Sequence, residues 1–405
     1  MAENKDKKVL NVPNIRFPEF KEEWVECFLS DILEFKNGLN PKANKFGKGT
    51  KFISVMDILN NIFITYDCIK ATVEATEEEK LNFSVEKGDV LFQRSSETLD
   101  DVGRANVYMD ERPAIFGGFV IRGKKKGEYN PLFFRYLLSS PCSRRKIIPM
   151  GAGAQHFNIG QEGLSKVKLS FASLSEQGKI GKFLSLIDER IATQNKIIEE
   201  LKQLKNGIIN HTFNSLKTKC TPFKNLYKDA GEGGTPSTSN ASYYDNGTIP
   251  FIKIDDLKKK YLTCNKDYIT NLGLQKSSAW LIPTNSILFS NGATIGEISI
   301  TTYSVTTKQG ILGIVPNSDV DTEYLYYLMS SQFFKKAINR IITEGTMKTA
   351  YLKDINKIIC PLPSKEVQKN IARLPSILNR KIEIEQSLLD KFLTQKQHLL
   401  RQMFI

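Results

Sequence analysis

Histidine is scarce in this 405-residue chain: only His156, His211 and His398 occur, too few and too scattered for a zinc site or a persuasive Ser-His-Asp set. The six cysteines, Cys27, Cys68, Cys142, Cys220, Cys264 and Cys360, stand far apart with no CxxC spacing. They are expected to be reduced thiols of a cytoplasmic protein, about half of them buried as small hydrophobes. No run of 18 apolar residues occurs, and the N-terminus MAENKDKK has no apolar core of the signal-peptide kind, so neither a membrane span nor export is expected. The Asp/Asn-Pro-Pro-Tyr/Phe of an amino-methyltransferase and a phosphate-cradling loop ending in Gly-Lys-Ser/Thr are both missing. The triplet Glu78-Glu79-Lys80 lacks a preceding Pro-Asp and lies in the run EATEEEK, which reads as solvated surface rather than half of a nuclease site. Neither a catalytic residue nor a bound metal or cofactor is expected.

Acidic residues are also in deficit, 44 against 57 Lys and Arg, which leaves a net charge of +13. Such a balance points to a polyanion, with nucleic acid ahead of an acidic membrane surface. The length exceeds what one core normally serves, so two or more domains are expected.

The organising feature is the stretch from Ser173 to Phe213. Apolar residues at Ile180, Leu184, Ile187, Ile191, Ile198, Leu201 and Ile208 keep one seam along one face of a long helix, a coiled-coil spacing. The pattern returns 191 positions later at Ile371, Leu378, Ile382, Leu389, Phe392 and Leu399, and the seam-breaking Gln194 and Lys205 recur as Glu385 and Lys396. A narrow apolar stripe needs a partner, and each copy can serve the other. An antiparallel pair would set Gln194 opposite Lys396 and Lys205 opposite Glu385, whereas a parallel pair would set Lys205 against Lys396. The first helix opens with a capping box, Ser173 and Glu176; in the second, Ser364 is followed by Val367, and Pro375 stands where Leu184 does, which predicts a kink or restart.

The rest of the chain is doubled in the same order. An arm, Val12 to Trp24, is expected to be tacked down by Phe17, Phe20 and Trp24. Phe28–Phe35 reads as a short helix or strand, Lys51–Ile58 and Ala114–Gly123 as strands, Val90–Phe92 as a short strand and Asn130–Ser140 as an Asn-capped helix with Pro at its first position. A glycine-rich loop at 147–160 lacks the context of a nucleotide-binding fingerprint. In the second half GEGGTPSTSN answers NGLNPKANK, PFIKIDDL answers KFISVMDI, EYLYYLMSS answers LFFRYLLSS, and EGTMKTAYLKDI answers the glycine-rich loop. A tandem duplication with pseudo-twofold symmetry is expected, and with antiparallel helices the two α/β-mixed domains would sit at opposite ends of a rod.

Two basic, similar domains held apart by a stiff spacer would suit two separated half-sites on duplex DNA. The candidate readers lie in polar loops: Asn40 and Lys42 with Thr235 and Ser237; Gln93, Arg94 and Ser95 with Ser290 and Asn291; Gln155, His156 and Phe157 with Met347, Lys348 and Thr349. A structural coiled-coil adaptor with incidental charge, or a stand-alone methyltransferase or nuclease, are the competing classes.

The doubled order of loop, strand, glycine-rich loop and long helix, carried by LSEQGKIGKFLSLIDERI, PLPSKEVQKNIARLPSILNRKIE, NGATIGEI and GTMKTAYLKDI, resembles the specificity subunit of bacterial Type I restriction-modification systems across essentially the whole chain. The resemblance implies an α+β fold: target recognition domains at 1–172 and 216–363, and spacer helices at 173–215 and 364–405 that pair as an antiparallel coiled coil. It implies a non-catalytic, cytoplasmic subunit that reads a bipartite double-stranded DNA target and docks two modification subunits and restriction subunits. S-adenosylmethionine, ATP and Mg2+ would be used by those partners. The outer helix faces, with Glu189, Arg190, Lys196, Glu199 and Lys202, would be solvated or part of that docking surface.

Overall fold

The computed structural model describes residues 10–292, 294–342 and 348–405. Its contacts form two compact units, Met1–Asn195 with Ser387–Ile405, and Lys196–Gln386. Each unit therefore contains a portion of both long helices.

The centre of the first unit is the strand Val90–Gln93, all four residues of which are buried. It lies in an antiparallel sheet ordered Leu33–Asn37, Val120–Lys125, Val90–Gln93, Ala105–Val107. The run VLF is apolar throughout because both faces are covered. Val90 and Phe92 face the core with Phe133, Phe134 and Leu137 of the helix Pro131–Ser139, while Leu91 faces a second core with Ile53, Tyr108 and Phe116. That helix starts as its sequence predicts: the Asn130 side chain accepts the Phe133 amide at 3.1 Å and Pro131 takes the first turn.

Two expected strands are interrupted. The strand at Phe46–Ile53 stops at Ser54, whose amide and hydroxyl both donate to Asp57 at 2.7 and 2.8 Å, and the helix Val55–Asn60 follows. The local cap outcompetes the β-prone residues beyond it. Ala114–Phe116 and Val120–Lys125 are separate strands because Gly117 and Gly118 turn the chain between them, Val120 N–H donating to the Gly117 carbonyl at 2.8 Å. The start of the chain's first domain is likewise composite, a strand Val25–Phe28, a helical turn Leu29–Ile32 and a strand Leu33–Asn37.

The second unit repeats this plan, with Tyr227–Glu232, Ile311–Pro316, Ile287–Ser290 and Ile298–Thr301 in corresponding order and Tyr261–Leu262 added at the edge. The parallel pairing of Phe52 with Ile115 recurs as Phe251 with Thr306. Asp321 caps Thr322–Ser330 as Asn130 caps its counterpart.

The long helices are Leu174–Ser215 and Lys365–Gln402. In the first unit Asp188 pairs with Lys396, the Arg190 guanidinium lies 5.3 Å over the Phe392 ring, and Leu184 shares a core with Leu399. In the second, Lys205 Nζ donates to Asn379 Oδ1 at 3.2 Å, while Ile209 and Phe213 share a core with Ala372. Within each unit one helix advances as the other recedes: the pairing is antiparallel. The seam partners differ from those expected. Lys396 meets Asp188, six residues from Gln194, and Lys205 meets Asn379, six from Glu385. Asp188 wins because it is a full counter-charge that also accepts the Tyr136 hydroxyl at 2.7 Å, which a carboxamide at 194 would not equal. Glu385 pairs with Lys381 of its own helix, and Gln194 is buried.

The restart expected at Pro375 does not occur: Lys365–Gln402 is one helix with Pro375 inside it. Its start is fixed without a capping box: the buried Gln368 donates to the Pro363 and Asp319 carbonyls at 2.9 and 3.1 Å and accepts the Asp321 amide at 2.7 Å. In the first helix the Ser173 hydroxyl accepts the Glu176 amide at 3.4 Å, but the Glu176 carboxylate turns to Arg16 at 2.7 Å instead of closing the box. That ion pair tacks down the arm, together with Phe17 edge-on to Phe183 and Trp24 edge-on to Phe133 and Phe404. All six cysteines are free; only Cys360 is buried, Cys220 and Cys264 are exposed and the other three are half-buried, fewer inside than expected.

Candidate nucleic-acid interface

In the first unit a close backbone contact builds the surface that carries the candidate readers. Gly38 abuts Gly117 so tightly that a Cβ would stand 2.1 Å from the Gly117 carbonyl oxygen, and Leu39 exchanges hydrogen bonds with Phe116 and Gly118, both at 2.9 Å. Only glycine permits this approach. The loop then carries Asn40 and Lys42 to the surface, the Asn40 side chain lying against Gly118. Arg94 reaches the same place from the central strand, its amide donating to the Phe119 carbonyl at 2.9 Å and its Nη1 to the Gly118 carbonyl at 3.3 Å. Asn40, Phe46, Met56, Ser95 and Phe119 line a cavity of about 440 Å³ there.

The glycine-rich loop joins them. Phe157–Asn158 pairs with Ser95–Ser96, and the Ser95 hydroxyl donates to the Asn158 carboxamide oxygen. Gln155 and His156 are exposed on this loop, whereas Phe157 turns partly toward the core. Gln93 is buried, its carboxamide donating to the Ser95 carbonyl at 2.9 Å, so it shapes the strand end rather than presenting an edge outward.

In the second unit Thr235 accepts the Gln309 amide at 3.3 Å and Ser237 is exposed beside Ser239. Ser290 and Asn291 are buried, contrary to their expected place at a surface. Ser290 accepts the Glu297 amide at 2.8 Å, and Asn291 accepts the Ala350 amide at 2.9 Å through its backbone. The second bond repeats the one from Ile159 to Arg94 in the first unit, also 2.9 Å. Lys348 is exposed and Thr349 half-buried; Met347 lies outside the described residues. Among the described residues no group of three or more His, Cys, Asp or Glu is arranged to hold a metal, and no helix is long and apolar enough to cross a membrane.

Sequence reading passed over the groups that hold these surfaces on the helices. Gln177 accepts the Asn130 amide at 2.8 Å and donates to the Ala172 carbonyl at 2.8 Å, and Gln368 repeats both contacts. Their coincidence under the 191-residue repeat was the available signal. Lys260 is buried, with Nζ 3.0 Å from Glu323, 3.1 Å from the Tyr327 hydroxyl and 3.0 Å from Ser376; nothing in KKKYL marks which lysine goes inside.

Residues 21–203 and 228–392 match the Type I restriction modification DNA specificity domain. The chain belongs to this family. It is similar to the MjaX type I restriction enzyme specificity subunit of Methanocaldococcus jannaschii, 25% identical over 401 residues that cover 93% of this chain and 91% of that one. The HindI specificity subunit of Haemophilus influenzae is 32% identical over 137 residues, 33% of this chain and 30% of that one. The fold is like that of the Type I S subunit from M. genitalium, with TM-score 0.58 and 14% identity over 97% of this chain and 99% of that chain. A chain from the type I restriction-modification system solved for its complex assembly gives TM-score 0.61 and 13% identity over 93% and 96%. As a Type I specificity subunit the protein carries two target recognition domains and serves DNA recognition within a larger assembly, without a catalytic role of its own.

Proposed function

We propose that this specificity subunit reads a bipartite double-stranded DNA target, each domain taking one half-site. Asn40, Lys42, Arg94, Ser95, Gln155, His156 and Phe157 form the reading set of one domain, and Thr235, Ser237, Lys348 and Thr349 that of the other. The domains are 1–172 and 216–363 and the spacers 173–215 and 364–405. The observation that carries the reading is the convergence of three separate polar segments on one strand end in a scaffold that occurs twice. Gln93, Ser290 and Asn291 support those segments from inside. Two modification subunits dock on the subunit and supply S-adenosylmethionine-dependent methylation of adenine; restriction subunits add ATP- and Mg2+-dependent cleavage, all in the cytoplasm.

The paired helices set the unread gap between half-sites. Inserting one heptad into each helix is expected to lengthen the tolerated gap, read by sequencing the methylated sites of cells with and without the altered gene. A gap of unchanged length would defeat this role. Loss of no methylated motif on deleting the gene would defeat DNA recognition itself.

A further inference from the structure

A second polar site lies in the first unit beside the reading loops. A cavity of about 270 Å³ is lined by Arg104, Arg135, Arg144, Asp100, Ser139 and Leu59, so three guanidinium groups face one carboxylate. Arg144 Nη2 donates to the Asp100 and Val102 carbonyls at 2.8 and 2.7 Å, while its Nη1 is buried and meets no acceptor among the described residues. Arg135 Nε donates to the Ile62 carbonyl at 3.2 Å and to Asn106 Oδ1 at 3.1 Å. Arg104 is tied to Asp101 at 2.6 Å. Burial, then the nearby charge of Arg104, pulls the Arg144 guanidinium down to about 10, and burial lowers Arg135 too. Asp100 and Asp101 offset part of this, but three guanidinium groups to two carboxylates leave a net positive site that a further anion would relieve.

The scaffold does not demand these arginines. The Gln93 amide donates to the Arg104 carbonyl as the Ser290 amide does to that of Glu297, which makes Glu297 the counterpart of Arg104. Tyr326 and Lys335 stand at the positions of Arg135 and Arg144 in the matching helices. The second unit thus has an acid, a phenol and a lysine in place of three guanidinium groups.

The segment that supplies Asp100 and Arg104 to the cavity packs against the candidate reading segments. Gly103 N–H donates to the Gln93 carbonyl at 3.0 Å, and Gly151, at the head of the loop bearing Gln155 and His156, packs against Val102 and Leu99. We infer that this arginine-lined cavity seats a backbone phosphate of the duplex beside the bases that the first domain reads. The inference rests on the DNA-recognition reading above. Guanidinium groups match phosphate oxygens in shape and charge, and a duplex engaged by the reading loops brings phosphates to the cavity's edge.

The test uses the full chain in its native assembly, with Arg135→Gln and Arg144→Gln compared with the unaltered protein on target and non-target duplexes across a salt series. Both variants are expected to weaken both duplexes by a similar factor of about 3 to 10 at low salt. The slope of log affinity against log salt should become shallower by about one, and Arg144→Lys should restore much of it. Arg104→Gln, altered at a side chain 54% exposed, replaces any variant that fails to fold. An unchanged slope overturns the inference. So does stabilisation of the free chain by sulfate that is lost in Arg144→Gln while the duplex slope is unchanged, the mark of a site for free anions. Failed assembly with the partner subunits at an unchanged slope would assign the cavity to a protein carboxylate and overturn it equally. Failure of the unaltered assembly to bind any duplex would sink the recognition reading beneath it.

Discussion

Asp188 shows how much one side chain can carry. It is almost fully buried, pairs with Lys396 and accepts the Tyr136 hydroxyl, so it links the two long helices to the helix Pro131–Ser139. Asp188→Ala would leave the lysine, 26% exposed, without its counter-charge, at an expected cost of about 3 kcal/mol, the low end for breaking a buried pair. Tyr136→Phe should cost only about 1 kcal/mol. Equilibrium urea unfolding of the purified protein measures both, and equal losses would argue against a shared network. Gln177→Ala removes two hydrogen bonds from a buried site and should cost about 2 kcal/mol by the same measurement. The sequence reading found the polar seam positions Lys205 and Lys396 but not their partners. Periodicity marks which residues break an apolar stripe, whereas the choice of counter-charge depends on the third element packed alongside.

At the scale of elements, the long helices and the central strand were legible because their patterns are long or unbroken: a sustained seam, or an apolar run covered on both faces. Lys51–Ile58 was misread at its second half because a Ser-x-x-Asp cap decides that segment in three residues, below the resolution of any window of hydrophobicity. The doubled Gly-x-x-Pro loops were legible too, although not the burial of Ser290 and Asn291, which goes with hydrogen bonds across a tight turn to residue 297 and to residue 350 far along the chain. Pro375 removes one donor from the second helix while its ring is buried. Pro375→Ala regains about 3 kcal/mol of helix propensity and loses about 1 to 2 kcal/mol of ring burial, so a net gain of roughly 1 kcal/mol is expected. A rise of a few degrees in calorimetric melting temperature checks it; a fall would mean that the ring's packing outweighs the missing bond.

For the molecule as a whole, the proposed reading of one half-site by each domain implies that the halves are separately replaceable. Exchanging residues 216–363 for the matching segment of a relative with another target should change one side of the methylated motif and leave the other side and the gap as they were. Methylome sequencing reads all three at once, and a change on both sides would mean that the domains do not act independently. The first unit, meanwhile, joins segments far apart in sequence: Trp24 meets Phe404, Asn14 and Ile15 bond to Gln402, and Leu399 and Met403 complete a core begun by Leu29 and Leu33. On the ribosome, the segment around Trp24 therefore waits for the segment around Phe404, which is made long after it. Until residues 387–405 have emerged its apolar floor stays open, and a nascent chain halted before them is a natural client for a holding chaperone.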